Sequence, residues 1–291
     1  MKKKFNKFSK NYLNRPWIES DFALEILAKK KVSVQMKKDA KFFIKNGYLI
    51  LKNTLTESEI QKCLFDFNNI VNSKKFKTNP KYFHYNKSPR IVEGWKSSKV
   101  IKKIAYKKKV IKYLNFLYDK VPVAFSTINF KTGTEQPVHS DYIHFGTLPE
   151  LYLAGVWFAL EKVDKNNGPL VVVPGSHKLP IIEFANLNLP IPKNSKDLKY
   201  NYTIYESYLS ELIKNKKLKR KELHVNQGDS IIWAANLMHG GTKILGKDRS
   251  RYSQVVHYHF KNLEKIYNPC YSNRIHGMYA DRNLNRIKIP S

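Results

Sequence analysis

Cysteine is nearly absent: Cys63 and Cys270 are the only two in 291 residues. They cannot build a disulfide framework, which excludes the small stapled secreted scaffolds and suits a reducing compartment. Long apolar runs are missing too. The longest, Leu151 to Leu160, is broken by Gly155. It falls short of the ~18 residues that cross a bilayer and reads as a buried strand. The start of the chain, Met1-Lys2-Lys3-Lys4-Phe5-Asn6-Lys7, is basic but lacks the apolar stretch a secretory signal needs. A cytoplasmic setting is therefore expected. No internal repeat is visible. Acidic residues are also scarce: 23 Asp and Glu against 53 Lys and Arg leave a net charge of +30.

That excess raises nucleic acid as a partner. Lysine greatly outnumbers arginine, however, and arginine is the usual base-reading residue. The lysines scatter through expected helices and are accompanied by many Asn and Ile, as a composition bias produces without selection for binding. A solvated basic surface is the preferred reading and nucleic acid is disfavoured. An anionic small-molecule substrate is compatible with the charge.

What is present is a globular composition, 42% hydrophobic and 13% aromatic, long enough to bury a core. Residues 1–33 read as a basic arm with a short helix over Asp21 to Lys31. Helical spacing of Met36, Ala40, Phe43 and Ile44 ends at Gly47, and Tyr48 to Leu51 reads as a strand. Thr56-Glu57-Ser58-Glu59 is a capping box opening a helix with Ile60, Cys63, Leu64 and Phe67 on one face. Residues 74–95 read as loop and Lys99 to Tyr118 as helix. Strands then follow in series from Val121 to Phe260, interrupted by an insertion over 180–222 with a helix from Glu206 to Lys216. The insertion is expected to sit over the mouth of a barrel as a lid. Residues 261–291 form a patternless tail. Helices first (34–120) and about eight strands after (121–260) predict a mainly β domain with N-terminal helices, a double-sheet jelly roll of the cupin type spanning 34–260.

The chemistry centres on Gln136-Pro137-Val138-His139-Ser140-Asp141. In extended chain, residues two apart share a face, so His139 and Asp141 can reach one ion. A second imidazole, His239, follows the strand-like run Ser230 to Ala235. Two His and one carboxylate are the facial triad of non-haem Fe(II) oxygenases. Twelve residues beyond His239, Arg251 and Ser253 share a strand face suited to capturing a carboxylate. Arg249 has the same parity and competes for that role. Thr127 and Asn129 face one way and are candidate pocket residues. His144 reads as a loop histidine, His177 as a structural hydrogen-bonder, and His257 and His259 as core.

These pieces, with Trp157-x-Ala159-Leu160, Asn167-Gly168-Pro169-Leu170, Pro174-Gly175-Ser176-His177, Gly228-Asp229 and His239-Gly240-Gly241, run in one order over about residues 35–260. In that order the chain resembles the phytanoyl-CoA dioxygenase (PhyH-like) family of Fe(II)/2-oxoglutarate oxygenases. The resemblance implies a double-stranded β-helix and iron held by His139, Asp141 and His239. It implies that 2-oxoglutarate and O2 fill the remaining positions, with ascorbate as an optional reductant. Arg251 and Ser253 would take the far carboxylate, and Gln136 and Trp157 would lie near iron and cosubstrate, although Trp157 reads equally well as core. A carboxylate at Asp141 implies hydroxylation; related halogenases carry a small residue there. The substrate expected is a small or medium-sized organic molecule. The competing readings are a non-enzymatic cupin-like or nucleic-acid-binding protein, and an oxygenase with a macromolecular substrate.

Overall fold

The computed structural model describes residues 15–77, 88–284 and 286–288. The first half of its strands are β1 (Tyr48–Leu51), β2 (Arg90–Val92), β3 (Pro122–Phe130), β4 (Gly146–Leu148), β5 (Leu153–Ala159) and β6 (Leu170–Val172). The others are β7 (Lys221–Leu223), β8 (Ser230–Ala234), β9 (His239–Gly241), β10 (Ser253–Phe260) and β11 (Lys265–Tyr267). Among the described residues, six form a major antiparallel sheet in the order β1-β8-β5-β10-β3-β2. A minor sheet runs β7-β6-β9, and β11 pairs with β4.

The two middle strands explain the layering. Every residue of β5 and β10 is buried, so both faces of the major sheet are covered. Alternation then sorts the side chains. Val156, Phe158, Ile232, Val256 and Tyr258 pack against the helices Val34–Asn46, Glu57–Asn72, Lys99–Ile104 and Lys108–Tyr118. The opposite parity, Trp157, Ile231, Trp233 and Val255, meets Leu170, Val172 and Leu223 of the minor sheet. Each such large apolar side chain contributes about 1.5–3 kcal/mol of burial. The result is a jelly-roll core with helices on one face, as the sequence predicts.

Local signals hold as well. Gly47 closes the Val34–Asn46 helix in the left-handed conformation (φ 79°), and Thr56 and Glu59 form the reciprocal capping box. Cys63 is a fully buried core residue.

Four expectations differ. The part of the 1–33 arm that is described is anchored, because Trp17 and Ile18 are buried in the helical core; residues 1–14 lie outside the described residues. The expected 74–95 loop contains β2, which adds an edge to the major sheet beside β3; residues 78–87 are not described. The insertion helix is Ser195–Asn215, beginning eleven residues earlier than expected, because Asn194 caps it by accepting from the Lys196 and Asp197 amides. The 261–291 tail is not patternless in space: β11 pairs with β4, and the Ile287 amide donates to the Ala124 carbonyl at 2.9 Å. Among the described residues no helix is long and apolar enough to cross a membrane.

Candidate active site

Backbone geometry brings the two histidines together first. His139 and His239 form a two-residue antiparallel bridge, each amide donating to the other's carbonyl at 2.9 and 2.8 Å. The bridge needs glycine after His239. A Cβ on Gly240 would lie 2.7 Å from the Gln136 carbonyl oxygen, so a side chain there would push the 136–141 segment off β9. Ser140 then ends the extended stretch. Its Oγ accepts from the Tyr142 amide and opens a 3-10 turn over Asp141–Ile143, which turns the Asp141 carboxylate back toward both rings.

The three donor atoms lie within 4.8 Å of one another, and all three residues are buried. Asp141 Oδ1 is 3.9 Å from His139 Nε2 and 3.6 Å from His239 Nε2. Bonds of about 2.1 Å to a shared ion would draw these atoms in by roughly 0.5–1 Å. Each imidazole is oriented by its own strand: His139 Nδ1 lies 3.0 Å from the Pro137 carbonyl, and His239 Nδ1 lies 3.0 Å from the Leu237 carbonyl. A carbonyl can only accept, so each ring keeps its proton on Nδ1 and presents the Nε2 lone pair to the ion. Burial, reinforced by the facing His239 ring, pushes His139 down to about 3, so it is a neutral ligand at physiological pH.

Asp141 is held at its other oxygen. Trp233 Nε1 donates to Oδ2 at 2.7 Å, and His257 Nε2 faces the same oxygen at 3.4 Å. Burial alone would raise this carboxyl. The surrounding imidazoles of His239, His257 and His139 outweigh it and hold the group well below the usual carboxylate range. Trp233 reaches Asp141 across β5 only because position 155 is glycine: a Cβ there would lie 2.2 Å from the indole.

The site opens into a cavity of about 270 Å³ between the sheets, with Gln136, Trp157, Arg251 and the triad in its wall. Arg251 is 1% exposed. Its Nη1 donates to the Gly168 carbonyl at 2.6 Å, and its guanidinium sits 5.5 Å from the Trp157 ring centre. Burial lowers its pKa to about 10, against the opposing pull of Glu161, so it stays cationic at neutral pH. Its Nε, the Ser253 hydroxyl and the Trp157 Nε1 are all buried with no hydrogen-bond partner. Buried polar atoms are seldom left so. Arg249 is occupied, with Nη2 3.1 Å from Asp164 and the side chain 41% exposed. Of the two rival arginines, only Arg251 has a guanidinium turned into the cavity.

The structure corrects one pair and promotes another group. Thr127 and Asn129 do not line the cavity. Thr127 Oγ1 accepts from the Trp95 amide, and Asn129 donates to Gln254 on the helical side. The cavity takes Ile128 and Phe130 instead, because these lie opposite Val255 and Ser253 in the β3–β10 register. His257, read as core, faces the Asp141 carboxylate and leaves Nδ1 unpartnered. Its parity with Arg251 was the available signal. His177 is structural as expected, its Nε2 3.2 Å from the Ile44 carbonyl. His144 borders the cavity, hydrogen-bonds the Tyr202 hydroxyl and stacks on that ring. The insertion thus buttresses the metal-binding loop: Tyr205, from the same helix, accepts from the Ser140 amide at 3.3 Å. Arg90 and Arg282 also line the cavity, and no sequence signal marked them.

Comparison with known proteins gives concordant results. The family model for phytanoyl-CoA dioxygenase (PhyH) matches residues 43–252. The peroxisomal phytanoyl-CoA dioxygenase of Bos taurus is 24% identical over 247 residues, 78% of this chain and 68% of the relative. Among solved structures, the non-haem α-ketoglutarate-dependent epimerase SnoN from nogalamycin biosynthesis superposes with a TM-score of 0.62 at 13% identity, covering 87% of this chain and 98% of that one. EctD from S. alaskensis, solved with 2-oxoglutarate and 5-hydroxyectoine, gives 0.61 at 18% identity, covering 89% and 86%.

Proposed function

Since the chain belongs to the phytanoyl-CoA dioxygenase family and carries the His-Asp-His donor set of an Fe(II)- and 2-oxoglutarate-dependent dioxygenase, we propose that it hydroxylates a small or medium-sized organic substrate in the cavity between its sheets. One observation carries this reading. A buried triad and a buried guanidinium with unpartnered neighbours share a single cavity. Two imidazoles and a carboxylate suit Fe(II), and a planar cation with an adjacent hydroxyl suits a carboxylate.

Within this proposal His139, Asp141 and His239 would hold iron, which with O2 and 2-oxoglutarate would supply the oxidising power that turns a C–H into C–OH, with succinate and CO2 as by-products. The protein's part is orientation. The Pro137 and Leu237 carbonyls keep the Nε2 lone pairs available, and Trp233 holds Asp141 by one oxygen, which would leave the other for an ion. Arg251 receives the far carboxylate of 2-oxoglutarate, Ser253 adds a hydrogen bond, and Trp157 and Gln136 border it. Ile128, Phe130, Leu170 and Val255 give the cavity apolar walls that exclude water. The Asp141 carboxylate supports hydroxylation rather than halogenation.

The cavity's size supports a small molecule over a polymer as substrate, and the net charge of +30 supports an anionic one. Free thiols at Cys63 and Cys270, both buried, support a reducing cytoplasmic setting. The test is succinate release from 2-oxoglutarate with Fe(II), O2 and ascorbate, comparing wild type with His139→Ala. Release is expected from the wild type and only background from the variant. Equal release by both removes the metal site from the argument.

A further inference from the structure

The cavity beside the triad holds more positive charge than 2-oxoglutarate accounts for. Arg90, Arg251 and Arg282 line it, against a single carboxylate, Asp141, which is engaged by the imidazoles and Trp233. On the oxygenase reading, on which this inference rests, Arg251 is taken by the cosubstrate. Arg282 differs in origin. It comes from the tail beyond the 43–252 family match.

Two contacts fix its guanidinium without neutralising it. Nη1 donates to the His144 carbonyl at 2.6 Å, and the guanidinium carbon lies 4.3 Å from the Phe145 ring centre. No Asp or Glu among the described residues forms an ion pair with Arg282. Its neighbours are paired: Asp281 with Lys265 at 2.8 Å, and Arg274 with Glu150. A guanidinium has five N–H groups. One is engaged by His144, and a planar cation in a pocket wall with donors to spare is suited to an oxyanion.

We infer that Arg282 is the receptor for an oxyanion, carboxylate or phosphate, carried by the substrate. Phe145 links this receptor to the triad end of the cavity. Its ring centre is 5.3 Å from that of His257, whose Nε2 faces the Asp141 carboxylate at 3.4 Å. The acid end therefore lies next to His144, whose ring stacks on Tyr202 of the insertion helix with centres 5.4 Å apart. The tail and the insertion together define this end of the substrate.

The test is saturation-transfer NMR on protein loaded with Zn(II) and 2-oxoglutarate, which fills Arg251 without turnover. The probes are straight-chain C4–C8 carboxylates, their methyl esters and the matching alkyl phosphates. The expected result is transfer to at least one acid set and not to the esters. Binding should weaken at least tenfold in Arg282→Ala and Arg282→Gln and be largely kept in Arg282→Lys, with all variants melting within 2 °C of wild type. The stronger acid set identifies the oxyanion. The inference is overturned if esters bind as well as acids, if no acid binds, or if binding survives in Arg282→Ala. The wild-type against His139→Ala comparison tests the oxygenase reading separately. Loss of that reading with Arg282-dependent acid binding intact would keep the receptor and discard the enzyme.

Discussion

β10 has two faces with opposite polar economies. On the helical face, Gln254 donates to the Ile101 carbonyl at 3.0 Å and the Tyr258 hydroxyl to the Ala105 carbonyl at 2.6 Å. On the cavity face, the Ser253 Oγ and His257 Nδ1 are buried and unpartnered, as is the Arg251 Nε just before the strand. Residues one position apart thus follow different rules. Leaving a buried donor or acceptor unmet costs about 1–3 kcal/mol, so evenly distributed orphans would mean a poor core. On β10 they are confined to the face beside the triad, which marks them as polar groups kept for a ligand. The comparison separates residues that hold the fold from residues that serve the site without reference to any relative.

Three substitutions sharpen that contrast. Arg251→Ala removes the buried cation and should raise the KM for 2-oxoglutarate about 100-fold, in line with the 2–5 kcal/mol typical of truncating one partner of a buried charge pair. The melting temperature should fall by a few degrees, since the hydrogen bond to the Gly168 carbonyl is lost as well, so the KM is the readout that separates the two roles. Steady-state succinate assays over a range of 2-oxoglutarate concentrations check this, and an unchanged KM would return Arg251 to the fold. Trp233→Phe takes away the donor to Asp141 Oδ2 and should weaken Fe(II) binding about tenfold, the lower end for a residue that orients a ligand. Equilibrium titration with Fe(II) under anaerobic conditions reads it. Tyr258→Phe, on the helical face, should cost about 1 kcal/mol of stability, a drop of a few degrees by calorimetry, with both constants above unchanged. If it altered either constant, the division between the faces would fail.

The triad was legible because its signal is local. His139 and Asp141 stand two residues apart, although a 3-10 turn at Asp141 rather than continuous extended chain brings the carboxylate back, and His239 opens β9 a short turn after β8. Arg251-x-Ser253 was legible for the same reason. Alternation says which residues share a face but not which face they share, and this misassigned Thr127 and Asn129. The same strand carries an irregularity, since His257 pairs with Ser126 but Tyr258 with Ala124, leaving Phe125 as the extra residue. That bulge directs Phe125 toward Phe145 and His257, and no alternation rule anticipates it. His257 was read as core because burial alone was expected of it, and its facing carboxylate comes from a distant loop. Arg282 was invisible. It sits in a stretch without periodicity, and only the fold brings it over Phe145. The early start of the Ser195–Asn215 helix was hidden because Leu198 is the single apolar residue between Lys193 and Lys199, although Asn194 was a usable cap signal.

The reciprocal hydrogen bonds between His139 and His239 have a consequence for how the protein acquires its metal. Fixing a residue's backbone costs about 1–2 kcal/mol. In this chain that cost is met when the sheets close, with the donors' main chains already held in register. The bridge is made by main-chain hydrogen bonds alone, so the donors' backbones are in place before an ion arrives, and an ion that binds there would add to the stability of a fold that does not need it to form.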